Sequence, residues 1–518
     1  MIRFKLIVAI FVLIVQMLNA QHTNITITTI SNPNEPSIYI DPKNPSRMMA
    51  ANNISDYYTS DDGGFTWKWG RLQSELGVWG DPCIVADTAG NFYFFHLSNP
   101  PAGEWIDRIV CQRTDDFGTS WTPGSGIGHV PGKAQDKEWV VVNPYNNEIY
   151  ITWTQFDNYG SENPADSSII RFSKSSDMGE TWSEPVRLCK IAGDCIDSDN
   201  TVEGAVPTVG PEGQIYVSWA GPAGIVFDKS LDGGTTWLED DIFITEQIGG
   251  WDQTIPGIFR CNGMPVTDCD RSNSPYRGTI YVTYADQRNG VDDTDIWLTK
   301  STDEGNTWST PIRVNDDLPG RHQFFPWMTV DQTTGKLWFV FYDRRNHSDL
   351  ATDVYMAVSD DGGETFTNFK VSEEPFIPDP TIFFGDYNNI SATNNIIRPV
   401  WTRLHNGRLS ILTAIIDPEV VGINSNEFIP YSETQITPNP FKHSTAFSFK
   451  LRRPAEVSLS VNDITGRPII QLIDRSILGP GKYTKILEAE GYNLQPGAYI
   501  FMLRVDNKLT TRKVIYTP

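Results

Sequence analysis

One octapeptide recurs six times and narrows what this chain can fold into: Ser60–Trp67 (SDDGGFTW), Thr114–Trp121 (TDDFGTSW), Ser175–Trp182 (SSDMGETW), Ser230–Trp237 (SLDGGTTW), Ser301–Trp308 (STDEGNTW) and Ser359–Phe366 (SDDGGETF). The shared pattern is S/T-x-D-x-G-x-T/S-W/F. Its aspartates, Asp62, Asp116, Asp177, Asp232, Asp303 and Asp361, lie 54, 61, 55, 71 and 58 residues apart. Self-similarity at a near-constant pitch means a modular array. Asp and Ser side chains accept hydrogen bonds from backbone N–H groups in tight turns. The glycine supplies a conformation that a Cβ would oppose, and the aromatic starts the next strand. The motif therefore reads as a hairpin-fixing device with structural aspartates.

Apolar alternation around each octapeptide predicts four antiparallel strands per repeat. The clearest case runs Trp327–Asp331, Leu337–Tyr342, Val354–Val358 and Thr365–Val371. One such sheet cannot bury both faces, whereas a ring of them can, which predicts an all-β propeller. Asn389–Thr393, Ile396–Arg403 and Leu409–Ile416 form a further repeat without the octapeptide, and Thr23–Ser31 is left over as a single strand. That strand would complete the last sheet and remove a free edge. The expectation is seven blades, with six as the alternative.

The chain carries a net charge of −23 over 518 residues, which disfavours nucleic acid as the main partner. Residues 431–518 hold twelve Lys/Arg against seven Asp/Glu, a net +5, while 21–430 hold about −30. This change of sign predicts a domain boundary near residue 430. A basic start (Arg3, Lys5), an apolar run from Leu6 to Val15 and a small residue at Ala20 predict a secretory signal peptide over 1–20. No later segment is apolar enough to span a membrane. Export permits disulfides, and the spacing predicts two local loop staples, Cys189 with Cys195 and Cys261 with Cys269, with Cys83 and Cys111 a looser third pair. No cofactor or metal is implied: there is no zinc spacing, P-loop, dinucleotide fingerprint or nucleophile elbow.

The six octapeptides resemble the Asp-box, or BNR, repeats of the sialidase-like propeller superfamily, across roughly residues 22–430. That resemblance implies the fold strongly and the activity poorly, because such propellers include glycan-cleaving enzymes and non-enzymatic binding proteins. The segment after residue 430 resembles the type A sorting domain of type IX secretion: Thr437-Pro438-Asn439-Pro440-Phe441, Asp463-Ile464-Thr465-Gly466-Arg467, Leu494–Tyr499 (LQPGAY) and Lys513-Val514 occur in order. It implies a small β-sandwich over 431–518 and the type IX secretion machinery as a partner. The Phe/Tyr-Arg-Ile/Leu-Pro motif of true sialidases is absent from Asn34–Asp56.

In a propeller of this kind the second-to-third and fourth-to-first connections emerge opposite the octapeptides and converge on one mouth. These are the long loops here, among them 99–107, 156–166, 249–278, 286–295, 343–353 and 376–386. Tyr284–Asn289 aligns with Phe341–Asn346, placing Asp286 over Asp343 and Arg288 over Arg345. With Arg344 and Arg403, these arginines form a candidate fork array for an acidic sugar; the alternative is that each Asp-x-Arg braces its own loop. His322 is a further candidate for the mouth. Asp136, Asp286 and Asp343 are candidate acids, and Tyr387, by the sialidase resemblance, a candidate nucleophile with Glu138 or Asp386 as partner. The sequence thus points to a secreted, sialidase-like propeller acting on extracellular glycans, a glycoside hydrolase or related polysaccharide-active enzyme for acidic sugars, with a non-catalytic glycan- or protein-binding propeller as the alternative.

Overall fold

The computed structural model describes residues 22–418, 421, 431–451, 455–463, 467–479, 481–492, 494–505 and 508–518. The expected signal peptide, the boundary near residue 430 and residues 464–466 of the sorting-domain motif lie outside the described residues. What is described falls into two compact units, one within Met1–Gly422 and one within Ile423–Pro518.

The first unit contains seven four-stranded antiparallel sheets. Their innermost strands are Ser37–Ile40, Gly80–Ala86, Ala134–Val142, Glu203–Val209, Val266–Cys269, Gln323–Val330 and Asn389–Thr393. Each packs against the next in chain order, and the seventh returns to the first. The arrangement is a β-propeller. Closure comes from the N-terminal strand Thr23–Thr28, which pairs antiparallel with Arg408–Ile415, Thr23 facing Ile415. A last sheet built from both ends of the unit leaves no unpaired gap in the ring.

The octapeptides do two things. Ser60 Oγ and Asp62 Oδ1 are 2.8 Å apart, Gly64 N–H donates to Ser60 Oγ at 2.8 Å, and Thr66 donates through its backbone to Asp62 Oδ1 at 2.9 Å and through its hydroxyl to Oδ2 at 2.6 Å. The same set recurs at Asp177, Asp232, Asp303 and Asp361. These bonds hold Asp62, Asp177, Asp232 and Asp303 down at about 2. The second job is to join neighbours. Gly234, at φ +82°, lies so close to Phe172 of the preceding sheet that a Cβ would come within 2.4 Å of the ring. The closing aromatics reach back the same way: Trp121 meets Tyr57, Trp237 meets Phe172 and Trp308 meets Phe227 edge-on at 4.9–5.2 Å. Such pairs contribute about 0.5–1.5 kcal/mol each beyond burial. Where the seventh sheet meets the first, Arg398 takes this place, donating from Nε to Gly63 O at 2.8 Å.

All six cysteines are buried free thiols, which corrects the expected staples. Cys83 and Cys111 both face Phe95, on the strand between theirs, so they stand two strands apart. That is about 9–10 Å, beyond the reach of a disulfide. Cys189 instead accepts the Ile170 N–H within an apolar cluster.

The second unit has a three-stranded sheet (Tyr431–Thr437, Ser444–Leu451, Gly481–Glu488) and a four-stranded one (Pro468–Leu478, Ala455–Asn462, Gly497–Val505, Lys508–Tyr516). Phe447, Phe449 and Leu487 of one share a core with Val457, Leu459, Phe501 and Leu503 of the other.

Candidate functional site

The innermost strands begin in an unusual way. Just before or within the first residues of six of them stands a residue with positive φ: Glu35 (52°), Asp81 (50°), Lys137 (52°), Gly204 (71°), Phe325 (50°) and Gly385 (95°). In four strands this residue falls inside a register shift, between Gly80 and Cys83, Asp136 and Trp139, Glu203 and Val206, and Phe324 and Trp327. Left-handed conformations at non-glycine residues cost of order 1–3 kcal/mol each and cluster at ligand-handling sites. Bulges re-aim side chains. Here they gather polar groups from distant parts of the chain at the end of the channel opposite the octapeptides.

Lys137 is the centre of the gathering. Its Nζ donates to Asp386 Oδ2 at 2.7 Å and to Asp81 Oδ2 at 3.4 Å, with the lysine only 7% exposed. Arg260, from the 249–278 loop, donates from Nε to Asp386 Oδ1 at 2.7 Å and from its guanidinium to Asp197 Oδ2 at 3.4 Å. Tyr159 donates its hydroxyl to the same Asp197 oxygen at 2.6 Å. Glu35 pairs with Asn53, whose Oδ1 accepts the Asp81 N–H at 2.8 Å. Beneath this layer Trp139 packs on Trp327 at 4.4 Å and on Tyr387 at 4.9 Å, forming an aromatic floor.

The environment drives the carboxyl groups apart. Burial, reinforced by Asp81, pushes Asp136 up to about 7. Burial and nearby Asp81 or Asp197 raise Glu35, Glu138 and Glu203 well above the usual range. Neither oxygen of Glu138 or Glu203 has a side-chain partner among the described residues. Asp386 goes the other way: burial opposes its charge, but Lys137 and Arg260 together hold it ionised. Burial also opposes the charge on Lys137, which Asp386 and Asp81 nevertheless keep protonated. A neutral acid beside an ionised one is the arrangement proton-transfer chemistry uses. Tyr387 is raised far above 10 by burial and by the anions around it, so its hydroxyl stays protonated.

The candidates from the sequence separate into two groups. Asp136 and Tyr387, with Glu138 and Asp386, lie in this gathering. The Asp-x-Arg pairs are braces within their own sheets: Arg288 Nε donates to Asp286 Oδ1 at 2.9 Å with the guanidinium stacked over Trp297, and Arg345 Nε donates to Asp343 Oδ2 at 2.7 Å while lying over Tyr355. Arg345 is further held by Asn368 and Asp316. Arg344 is buried, bonded to Thr352 and the Pro256 carbonyl, and pushed down to about 10 by burial. His322 contacts Thr294 Oγ1 at 3.1 Å, burial lowering its pKa, and the half-buried Arg403 sits in the seventh sheet opposite Ser410. Of the two readings offered for these arginines, the loop brace describes Arg288 and Arg345, each paired with the aspartate two residues before it.

Sequence reasoning missed Glu35, Asp81, Asp197, Glu203 and Arg260. It also missed three aromatic rings at the rim. Trp79 and Trp105, 41% and 45% exposed, meet edge-on at 6.2 Å, and Trp105 meets Tyr159 at 5.6 Å. A weak signal existed, since an acidic or proline-flanked residue precedes several innermost strands (Glu35-Pro36, Asp81-Pro82, Asp136-Lys137-Glu138, Glu203-Gly204).

No family model and no curated protein sequence matches this chain. Solved structures to which it is similar include a Hadza microbial sialidase (14% identity, 72% of this chain and 74% of that one, TM-score 0.42). Others are the NanB sialidase from Streptococcus pneumoniae (9%, 72% and 84%, 0.44) and an ulvan lyase of polysaccharide lyase family PL25 (13%, 74% and 95%, 0.45). At such distances none of them bears on what this chain does.

Proposed function

We propose that this chain is an exported, glycan-active protein: a seven-bladed propeller whose Lys137 end holds a sugar, followed by a β-sandwich that addresses it to type IX secretion. The sorting-domain motifs and the predicted signal peptide support export. The seven four-stranded sheets support the blade count, and the core shared by two sheets supports the sandwich.

The observation that carries the activity is Asp136, a carboxyl that keeps its proton to about pH 7 in a mouth rimmed by exposed aromatic rings. Aromatic faces take the apolar face of a sugar ring. Asp136 then passes its proton to the glycosidic oxygen as the C–O bond breaks. Water adds to the anomeric carbon, with Asp197 accepting its proton. Preference for acidic sugars has less support from Arg288 and Arg345, which are engaged with Asp286 and Asp343 of their own sheets.

The test is reducing-end release from sialylated, uronic, sulfated and neutral glycans by the purified protein. Product from the native chain, and none from Asp136→Asn that still binds, is expected. Binding without product from either protein favours the non-catalytic reading, whose own support is that Lys137, Arg260 and Asp386 already satisfy one another. Neither binding nor product overturns both.

A further inference from the structure

Arg260 stands between two aromatic groups, not beside one. On one side its guanidinium reaches Asp197, which holds Tyr159, and beyond Tyr159 come Trp105 and Trp79. On the other side the same guanidinium lies 5.2 Å over the Phe383 ring, and Phe383 meets Phe259 edge-on at 6.1 Å. Phe259 is 56% exposed. Five separate connections supply these rings: the one before Gly80, the 99–107 and 156–166 loops, and the 249–278 and 376–386 loops. All leave the sheets at the end opposite the octapeptides.

Exposed aromatic rings gathered at one place, unlike single ones, mark ligand-binding grooves. A line of them interrupted by a guanidinium and carboxylates matches a chain of sugar rings, which alternates apolar C–H faces with hydroxyl groups. A site for one terminal sugar needs one wall and a closed end. Here the Asp386–Arg260–Asp197 polar cluster links the two groups of rings.

Resting on the glycan-active reading above, we infer that the mouth takes an internal stretch of a polysaccharide, laid from the Trp79–Trp105 wall across Arg260 to the Phe383–Phe259 wall. The walls are then separate subsites, and the chain ends of the polymer extend beyond the rim on both sides. Affinity gains with each added sugar until both walls are covered.

The full chain is tested by affinity electrophoresis in gels carrying xyloglucan, galactomannan, polygalacturonate or sulfated fucan, and by titration with size-sorted oligosaccharides of any polymer that retards it. Trp79→Ala with Trp105→Ala, and separately Phe259→Ala with Phe383→Ala, are each expected to weaken retention at least tenfold, while Trp105→Phe with Phe259→Tyr keeps it. Oligosaccharides longer than a disaccharide are expected to bind more tightly than the monosaccharide. Native retention in the Phe259/Phe383 variant, or a monosaccharide that binds as well as an octamer, overturns the two-walled groove and leaves the glycan-active reading standing. No retardation in any gel, together with no product in the activity screen, removes both.

Discussion

Lys137 and Asp386 are separated by 249 residues of chain, yet Nζ and Oδ2 stand 2.7 Å apart, both side chains nearly inaccessible. This pair ties the start of the third sheet to the approach to the seventh, so it spans the channel end where the polar groups gather. Breaking a buried pair from one side leaves a charge without its partner, at about 3–5 kcal/mol. Lys137→Met is expected to cost about 3 kcal/mol, the low end of that range, because Arg260 still holds Asp386. Arg260→Gln, with the arginine side chain 40% exposed, is expected to cost about 1 kcal/mol or less. Chemical denaturation of the two variants checks the order, and equal losses would contradict it.

Arg345→Ala tests the braces. Its guanidinium covers a fully buried Asp343 carboxylate, so removing it is expected to cost about 3 kcal/mol of stability and to leave glycan affinity within about twofold. Loss of affinity at unchanged stability would return this arginine to the site.

Two left-handed glycines, Gly234 in an octapeptide and Gly132 in a loop, separate backbone conformation from contact. Gly234→Ala places a Cβ 2.4 Å from the Phe172 ring at φ +82°, whereas Gly132→Ala, at φ +76°, meets no atom within 4 Å. Gly132→Ala is expected to cost about 1 kcal/mol from strain alone, and Gly234→Ala at least about 2 kcal/mol more, the size of an overpacking penalty. Similar melting temperatures for the two would mean that the sheets do not bear on each other there.

Acid should loosen the propeller through the octapeptides. Asp62, Asp177, Asp232 and Asp303 are held at about 2 against an ordinary 3.8. A carboxyl with a lowered folded pKa adds stability above its unfolded value, and that stability is lost as pH falls through the folded one. Thermal stability is therefore expected to drop between about pH 4 and pH 2, and Asp232→Asn to flatten the drop; an unchanged slope in that variant would exclude its carboxylate as a cause.

Asp136 has the opposite sign. Its folded value of about 7 lies above the ordinary 3.8, so its contribution to stability is full below about pH 4 and disappears as pH rises to about 7. Asp136→Asn is expected to melt higher than the native chain at pH 8 and to differ less at pH 4. Turnover, which needs the protonated acid, is expected to fall above about pH 7; a rate that keeps rising to pH 9 would exclude Asp136 as the proton donor.

Much of the architecture is legible in the sequence. A repeated Asp, Gly and aromatic at fixed offsets states a local hairpin, and hairpins are set by residues a few positions apart. The spare strand Thr23–Thr28 was legible too, because three boxless strands near residue 400 needed a fourth. The site was much less so. Asp286 with Arg288 and Asp343 with Arg345 looked like convergent machinery, but charges two residues apart at a strand end satisfy each other first.

The sequence by itself determined the unit of construction, since turn chemistry and strand alternation act over short stretches of chain. Only the tertiary structure decided which carboxyl groups share a pocket. Glu35, Asp81, Asp136, Glu203 and Asp386 meet because left-handed residues at the starts of the innermost strands turn them toward one axis, and Asp197 joins them through Arg260. The raised carboxyls of Glu35, Asp136 and Glu203 follow from that burial, and the ionised Asp386 from Lys137 and Arg260, which no local pattern encodes.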